Sequence, residues 1–317
     1  MPSHLISRVT ILGTGLIGSS FAQALRKHAT DFQIFGWDRP EVSRQAKSFG
    51  AFDQTFSGPL APALKQADLI YLSLPIGVTI DLLPEIARHA NAHALVTDAC
   101  STKLRISHTA AENFSSERGP FFLGGHPMAG KELSGLAHAD ADLFRNATYA
   151  LIAESSTPPE LEAALAHLTE TQTQPSSLEK GINIPKDPRV SAFVKILEKI
   201  GARPLWLGAS QHDYAVGLAS HLPQLVAVAL GSFLYDRLDE NGLPITVAGP
   251  GLRDSLRLAG SPYSTWRDIV LTNREVLSVA LDLFARRLDD LRDRLASRAL
   301  ESDFDSANEL YKLLRSL

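Results

Sequence analysis

Near the start of the chain, residues 9–20 read Val9-Thr10-Ile11-Leu12-Gly13-Thr14-Gly15-Leu16-Ile17-Gly18-Ser19-Ser20. An apolar, β-branched run stops at glycines spaced GxGxxG and resumes as a helical pattern through Lys27. Gly13 permits the tight turn, Gly15 lets backbone come close to a ligand, and Gly18 lets the helix pack on the strand. Together with Leu16 and Ile17 they form a loop whose unpaired N–H groups and positive helix end suit a diphosphate.

The same alternation continues along the chain. Strands are predicted at Arg8–Leu12, Gln33–Trp37, Asp68–Leu74, Ala94–Asp98, Phe121–Gly124, Tyr149–Ala153 and Pro204–Gly208, with helices near 16–28, 40–49, 78–90, 102–113, 160–172 and 189–200. This spacing predicts an α/β fold, a Rossmann-like and mostly parallel sheet covered on both faces. Residues 173–188 lack periodicity and read as an exposed loop or insertion. After Gly208 the pattern is helical only, so the expected division is 1–208 for the sheet domain and 209–317 for an all-helical domain. Leu277, Leu281, Phe284, Leu288, Leu291 and Leu295 form a heptad-like seam. It fits either packing within the domain or a subunit interface.

The second strand ends at Asp38, about 20 residues past Gly18, where a carboxylate takes the adenosine ribose hydroxyls of NAD. Arg39 beside it would suit the extra phosphate of NADP, and the carboxylate favours NAD. Ser73-Leu74-Pro75 closes another buried strand; it is either a simple turn or a cover over the cofactor. Two other strand ends are polar. One runs Asp98-Ala99-Cys100-Ser101-Thr102-Lys103, in which Ser101 reads as a helix N-cap and Cys100 as a small filler. The other runs Gly125-His126-Pro127-Met128-Ala129-Gly130-Lys131-Glu132, which sets His126 on a sharp loop suited to chemistry. In the helical half, Ser220 and Gln224 share a predicted helix face, as ligand contacts or as a hydrogen-bonded helix start. Arg253 and Arg257 are candidates for carboxylate recognition.

Composition narrows the class. The 317 residues carry a net charge of −4, which gives no support to a nucleic-acid or anionic-membrane surface. A single cysteine fits a reducing cytoplasm, and no metal-ligand set is present. The N-terminus lacks the order of a signal peptide, and Leu222–Leu234 is too short to span a bilayer.

The blocks GGHPMAGKELSG at 124–135, SHLPQ at 220–224 and GLRDSLRLAGSPYSTWRDI at 251–269, after the glycine loop, resemble the prephenate dehydrogenase family with its arogenate dehydrogenases. The resemblance runs from the loop to Asn273. It implies a nucleotide domain, a helical domain that forms a homodimer, a cleft between them, and a role in tyrosine biosynthesis. By matching position, His126 would be the catalytic histidine and Ser101 the serine that orients it. Arg257 would bind substrate carboxylate, Ser220 and Gln224 would line the substrate wall, and Asp38 would meet the ribose. Gln224 stands where some relatives have a second histidine, and its amide could turn to serve prephenate or arogenate. Glu132, in the histidine loop, would attract the ammonium of arogenate unless an arginine neutralises it. Prephenate is therefore the expected substrate. The chain has no room for a mutase or regulatory domain, which implies a monofunctional enzyme. Other dehydrogenases, or a nucleotide sensor without turnover, are the remaining alternatives.

Overall fold

Apolar runs too short for helices become the central sheet of the computed structural model, which describes residues 5–29, 31–114, 119–131, 133–155, 182–238 and 242–316. Strands β1 (Arg8–Leu12), β2 (Gln33–Trp37), β3 (Gln54–Phe56), β4 (Leu69–Leu72), β5 (Leu95–Asp98) and β6 (Phe121–Leu123) stand in the order β3-β2-β1-β4-β5-β6. Every pairing among them is parallel. Strand order reverses between β1 and β4, the place where open α/β sheets take their ligands, beyond the carboxyl ends of the strands. The edge strand β3 escaped the sequence reading because its three residues cannot display an alternation.

Helices α1 (Leu16–His28), α2 (Pro40–Phe49), α3 (Ala61–Leu64), α4 (Ile76–His89) and α5 (Leu104–Asn113) cover the sheet. On one face Phe21 of α1 stacks on Tyr71 at 4.1 Å, with Tyr149 and Phe193 in the same core. The other face buries Leu12, Ile70, Leu83 and Val96 together with Ile269 from the helical half, so the core is continuous between the halves.

The two later predicted strands do not join this sheet. β7 (Gly125–Pro127), β8 (Thr148–Ile152) and β11 (Arg203–Leu207) form a separate three-stranded sheet in the order β11-β8-β7, with β7 antiparallel to β8. The cause is a crossing at Gly124-Gly125. A methyl on Gly125 would lie 2.8 Å from the Asp98 carbonyl oxygen, so only glycine lets β7 pass over the end of β5. His126 accordingly sits on a short strand, paired opposite Ala150, and not on the loop expected of it. The two-residue strands β9 (Glu154–Ser155) and β10 (Ile182–Asn183) pair antiparallel. The helix expected at 160–172 and the first part of the 173–188 segment lie outside the described residues. Helix α6 (Pro188–Lys199) follows, with Asp187 capping the Arg189 N–H.

Beyond β11 every described element is helical: α7 (Ala209–Val216), α8 (Leu222–Tyr235), α9 (Leu243–Thr246), α10 (Pro250–Leu256), α11 (Tyr263–Thr272), α12 (Arg274–Asp293) and α13 (Glu301–Ser316). A π turn, Gly217–His221, joins α7 to α8. Pro223 has no N–H to return to the preceding turn, and the chain widens so that Leu222 N–H donates to the Gly217 carbonyl. The resulting run of 27 residues is long and apolar enough to cross a membrane, unlike Leu222–Leu234 alone. Its first turns bury His212, Asp213 and His221, whereas Val228, Phe233 and Tyr235 farther along it are exposed. On α12, Leu277 is buried but Leu281 and Leu288 are exposed, and Leu295 falls beyond the helix end. The outward half of the seam finds no cover among the described residues.

Candidate active site

The glycine loop is close-packed where it must be and open where a ligand would lie. Gly13 has φ +94°, and a methyl there would lie 2.5 Å from the Ser73 carbonyl oxygen; one on Gly18 would lie 2.0 Å from the Gly13 oxygen. A methyl on Gly15 would meet nothing within 4 Å. Ser73 Oγ donates to the Gly13 carbonyl at 2.6 Å, Leu74 packs beside Gly13, and Pro75 precedes α4. Ser73-Leu74-Pro75 is thus a wall of the loop and not only a turn. Asp38 is buried, and its carboxylate accepts from Thr14 N (2.7 Å), Thr14 Oγ1 (3.1 Å) and Arg39 N (2.7 Å). Arg39 is exposed at the start of α2.

His126 is held by two residues to which the sequence reading gave no role. His126 Nδ1 meets His212 Nε2 at 2.9 Å, and His212 Nδ1 meets Asp213 Oδ1 at 2.8 Å. The carboxylate fixes the proton on His212 Nδ1, so His212 Nε2 is an acceptor and His126 Nδ1 a donor. His126 Nε2 then carries the lone pair, and it makes no hydrogen bond among the described residues. Burial, reinforced by the charges of His212, Lys103 and His221, holds the His126 imidazole well below the usual histidine range. It is neutral at physiological pH.

Asp213 also fastens the two halves of the chain. Its carboxylate accepts from Lys103 N at 2.7 Å and Leu104 N at 2.9 Å, capping α5 from outside. This corrects the reading of Ser101 as N-cap: the helix starts at Leu104, and Asp213 caps it. Ser101 is half-buried beyond β5, and the hydrogen bond at His126 Nδ1 is made with His212. Cys100 is buried, with its thiol pushed up to about 12, chiefly by burial, and it is inert. Two further ties join the halves. Thr102 Oγ1 meets Thr272 Oγ1 at 2.7 Å, and Asp268 Oδ2 accepts the Gly77 N–H at the start of α4 at 3.0 Å.

The remaining candidates gather on the π turn and its neighbours. Ser220 is exposed on the turn, and Gln224 is buried. Gln224 Nε2 donates to the Leu258 carbonyl at 2.8 Å, so the amide does not rotate freely as expected. It fastens the turn that begins at Arg257, an exposed residue. Glu132 lies outside the described residues. His221 Nδ1 meets Asn273 Nδ2 at 3.1 Å, and its ring packs edge-on to Trp266 at 5.8 Å.

Comparison with known proteins fits this geometry. The family model "Prephenate dehydrogenase, nucleotide-binding domain" matches residues 21–174, and "Prephenate dehydrogenase, dimerization domain" matches 208–315. The chain belongs to the prephenate dehydrogenase family. It is 32% identical to the prephenate dehydrogenase of Lactococcus lactis, over 96% of this chain and 77% of that one. The crystal structure of prephenate dehydrogenase from Aquifex aeolicus, in complex with hydroxyphenyl propionate and NAD+, superposes with a TM-score of 0.79 at 25% identity. That match covers 98% of both chains. Arogenate dehydrogenase from Synechocystis gives 0.68 at 25% identity, over 98% of this chain and 96% of that one. As a member of the family, this chain is a dehydrogenase.

The prephenate dehydrogenase fold here buries two imidazoles, His212 and His221, beside the half-buried His126, which ties stability to pH. His221 is pushed down to about 4 by burial, with Asp213 opposing the shift and His212 adding to it. In the unfolded chain the same group protonates near 6.5. Between those values the unfolded state holds more protons, so stability falls as pH falls. His221 alone contributes a loss of about 3 kcal/mol, starting below pH 6.5 and complete near 4. Thermal unfolding should be insensitive to pH above about 7 and decline steadily below 6.5. A constant Tm down to about pH 4.5 would mean that these rings are not buried neutral.

Proposed function

We propose that this chain oxidatively decarboxylates prephenate to 4-hydroxyphenylpyruvate with NAD, as a cytoplasmic homodimer. In this reading residues 1–208 bind coenzyme and 209–317 supply substrate contacts and the dimer interface. The observation that carries it is the Nε2 lone pair of a neutral His126, without a hydrogen bond among the described residues and fixed through Nδ1 by His212 and Asp213.

The chain's own residues fit NAD. Gly15 leaves open space at the start of α1, no side chain caps that helix, and its first turn carries no acidic residue to repel a diphosphate. Asp38, at the end of β2, keeps a lone pair for a ribose hydroxyl and would repel the phosphate of NADP. When bound, NAD supplies the hydride acceptor. His126 Nε2 accepts the proton of the C4 hydroxyl as hydride leaves C4, and Ser101 shares the hydrogen bond to that hydroxyl. The ring carboxylate then departs as CO₂, and aromatisation drives the step. Arg257 anchors substrate carboxylate, and Ser220 lines the same wall. The exposed Leu281 and Leu288, with Phe304 and Leu310 on α13, are the surface that a second copy would cover.

Arogenate is the second reading, favoured by the likeness to the Synechocystis enzyme. Coenzyme reduction measured with prephenate and arogenate, each with NAD and NADP, separates the two. The highest kcat/KM is expected for prephenate with NAD, from protein that sediments as a dimer. A higher value with arogenate would reassign the substrate, and no reduction with either would overturn the proposal.

A further inference from the structure

The most buried charges in the described chain lie directly behind His126. Asp98 and Lys103 are both fully buried, and Lys103 Nζ donates to Asp98 Oδ2. Taking two ions out of water is unfavourable, and an apolar pair of similar volume is often as stable or more so. A pair kept in such a place calls for a reason beyond stability. Its hydrogen bonds supply one. Lys103 Nζ also donates to the Gly125 carbonyl at 2.7 Å, and Asp98 Oδ1 accepts the Gly125 N–H at 3.1 Å. The residue immediately before His126 is thus gripped at both its polar groups. Asp98 Oδ2 accepts Cys100 N–H as well, at 3.0 Å, which fixes the loop that carries Lys103.

We propose that Asp98 and Lys103 are positioning residues for His126, locking the backbone that carries its ring and setting the charge beside it. The proposal rests on His126 being the proton acceptor. The titratable groups around the ring are His212, Asp213 and His221 from the helical run, Lys103 and Asp98 from the β5–α5 connection, and Tyr149 from β8. Of these, Lys103 supplies the ammonium, paired to the Asp98 carboxylate. An ammonium there disfavours imidazolium, so the base stays unprotonated in the acid range, where its proton would block it.

The test compares D98N/K103M, which leaves no unpaired buried charge, with K103M and with K103R, which keeps a cation. The readouts are the NMR titration of the His126 ring and the pH profile of kcat/KM. In D98N/K103M the His126 midpoint and the acid limb should both rise, by up to about one pH unit and by less than in K103M, because the Asp98 carboxylate is removed with the ammonium. With the ring less firmly held, kcat should fall by up to about 100-fold. K103M should move both in the same direction wherever it folds, and K103R should keep the wild-type midpoint. An unmoved His126 midpoint with wild-type kcat in D98N/K103M overturns the proposal. A raised midpoint with an unchanged rate profile supports the electrostatic coupling and overturns His126 as the base instead, so the two failures are distinguishable.

Discussion

His126→Ala should lower kcat by about 10²–10⁴-fold and leave coenzyme affinity unchanged. The two effects separate because the residues that would meet coenzyme lie elsewhere. The glycine loop, Asp38 and Ser73 are built from β1, β2 and β4, whereas His126 is on β7, paired to β8. Its ring is engaged at Nδ1 by His212 and not by any coenzyme-loop residue. Removing it therefore deletes the proton acceptor without loosening the loop. Direct titration of NAD into wild type and variant, beside steady-state kinetics, checks both halves. Unchanged kcat would remove His126 from the chemistry. Lost NAD affinity with the fold intact would mean that β7 supports the coenzyme loop, and the division of labour drawn here would be wrong.

What the sequence reveals depends on how local each feature is. The glycine loop is contiguous, and its three constraints are set by one strand and one helix, so β1, α1 and Asp38 are readable from the single stretch Arg8–Asp38. The histidine block was also recognisable, yet its local structure was not. Whether Gly125–Pro127 is loop or strand depends on Thr148–Ile152 lying opposite. The relay is harder still. His212 and Asp213 are 86 residues or more from His126, and what marks them is two adjacent polar residues at the start of an apolar helical run. That signal was present, but it does not say which partner the pair will meet. Gln224 shows the reverse failure. Its side chain can donate and accept, so the sequence permits either substrate, and only the Leu258 carbonyl decides its orientation.

Asp213→Asn should fold and either lose stability or lose at least about 100-fold in kcat, although residue 213 touches neither substrate nor coenzyme in the proposed reaction. All three partners of this carboxylate are N–H donors: His212 Nδ1 and Lys103 N on Oδ1, and Leu104 N on Oδ2. An asparagine has one acceptor oxygen and one NH₂ group. With the oxygen toward His212 and Lys103 N, the NH₂ faces the Leu104 N–H and α5 loses that one of its two cap bonds. With the oxygen toward Leu104, the NH₂ faces His212, whose Nδ1 must give up its proton to accept. His212 Nε2 then becomes the donor, His126 Nδ1 the acceptor, and the His126 proton moves to Nε2. The nitrogen meant to take the hydroxyl proton would already carry one. The first arrangement lowers Tm by losing a charge-assisted bond, about 1–3 kcal/mol; the second lowers kcat with KM for coenzyme unchanged. The chain adopts whichever of these is less unfavourable, so Tm and kcat have to be measured on the same preparation. Lower Tm with near-wild-type kcat would show that the asparagine keeps its oxygen on His212, whereas wild-type values of both would show that the tautomer of His126 is fixed by something other than this relay.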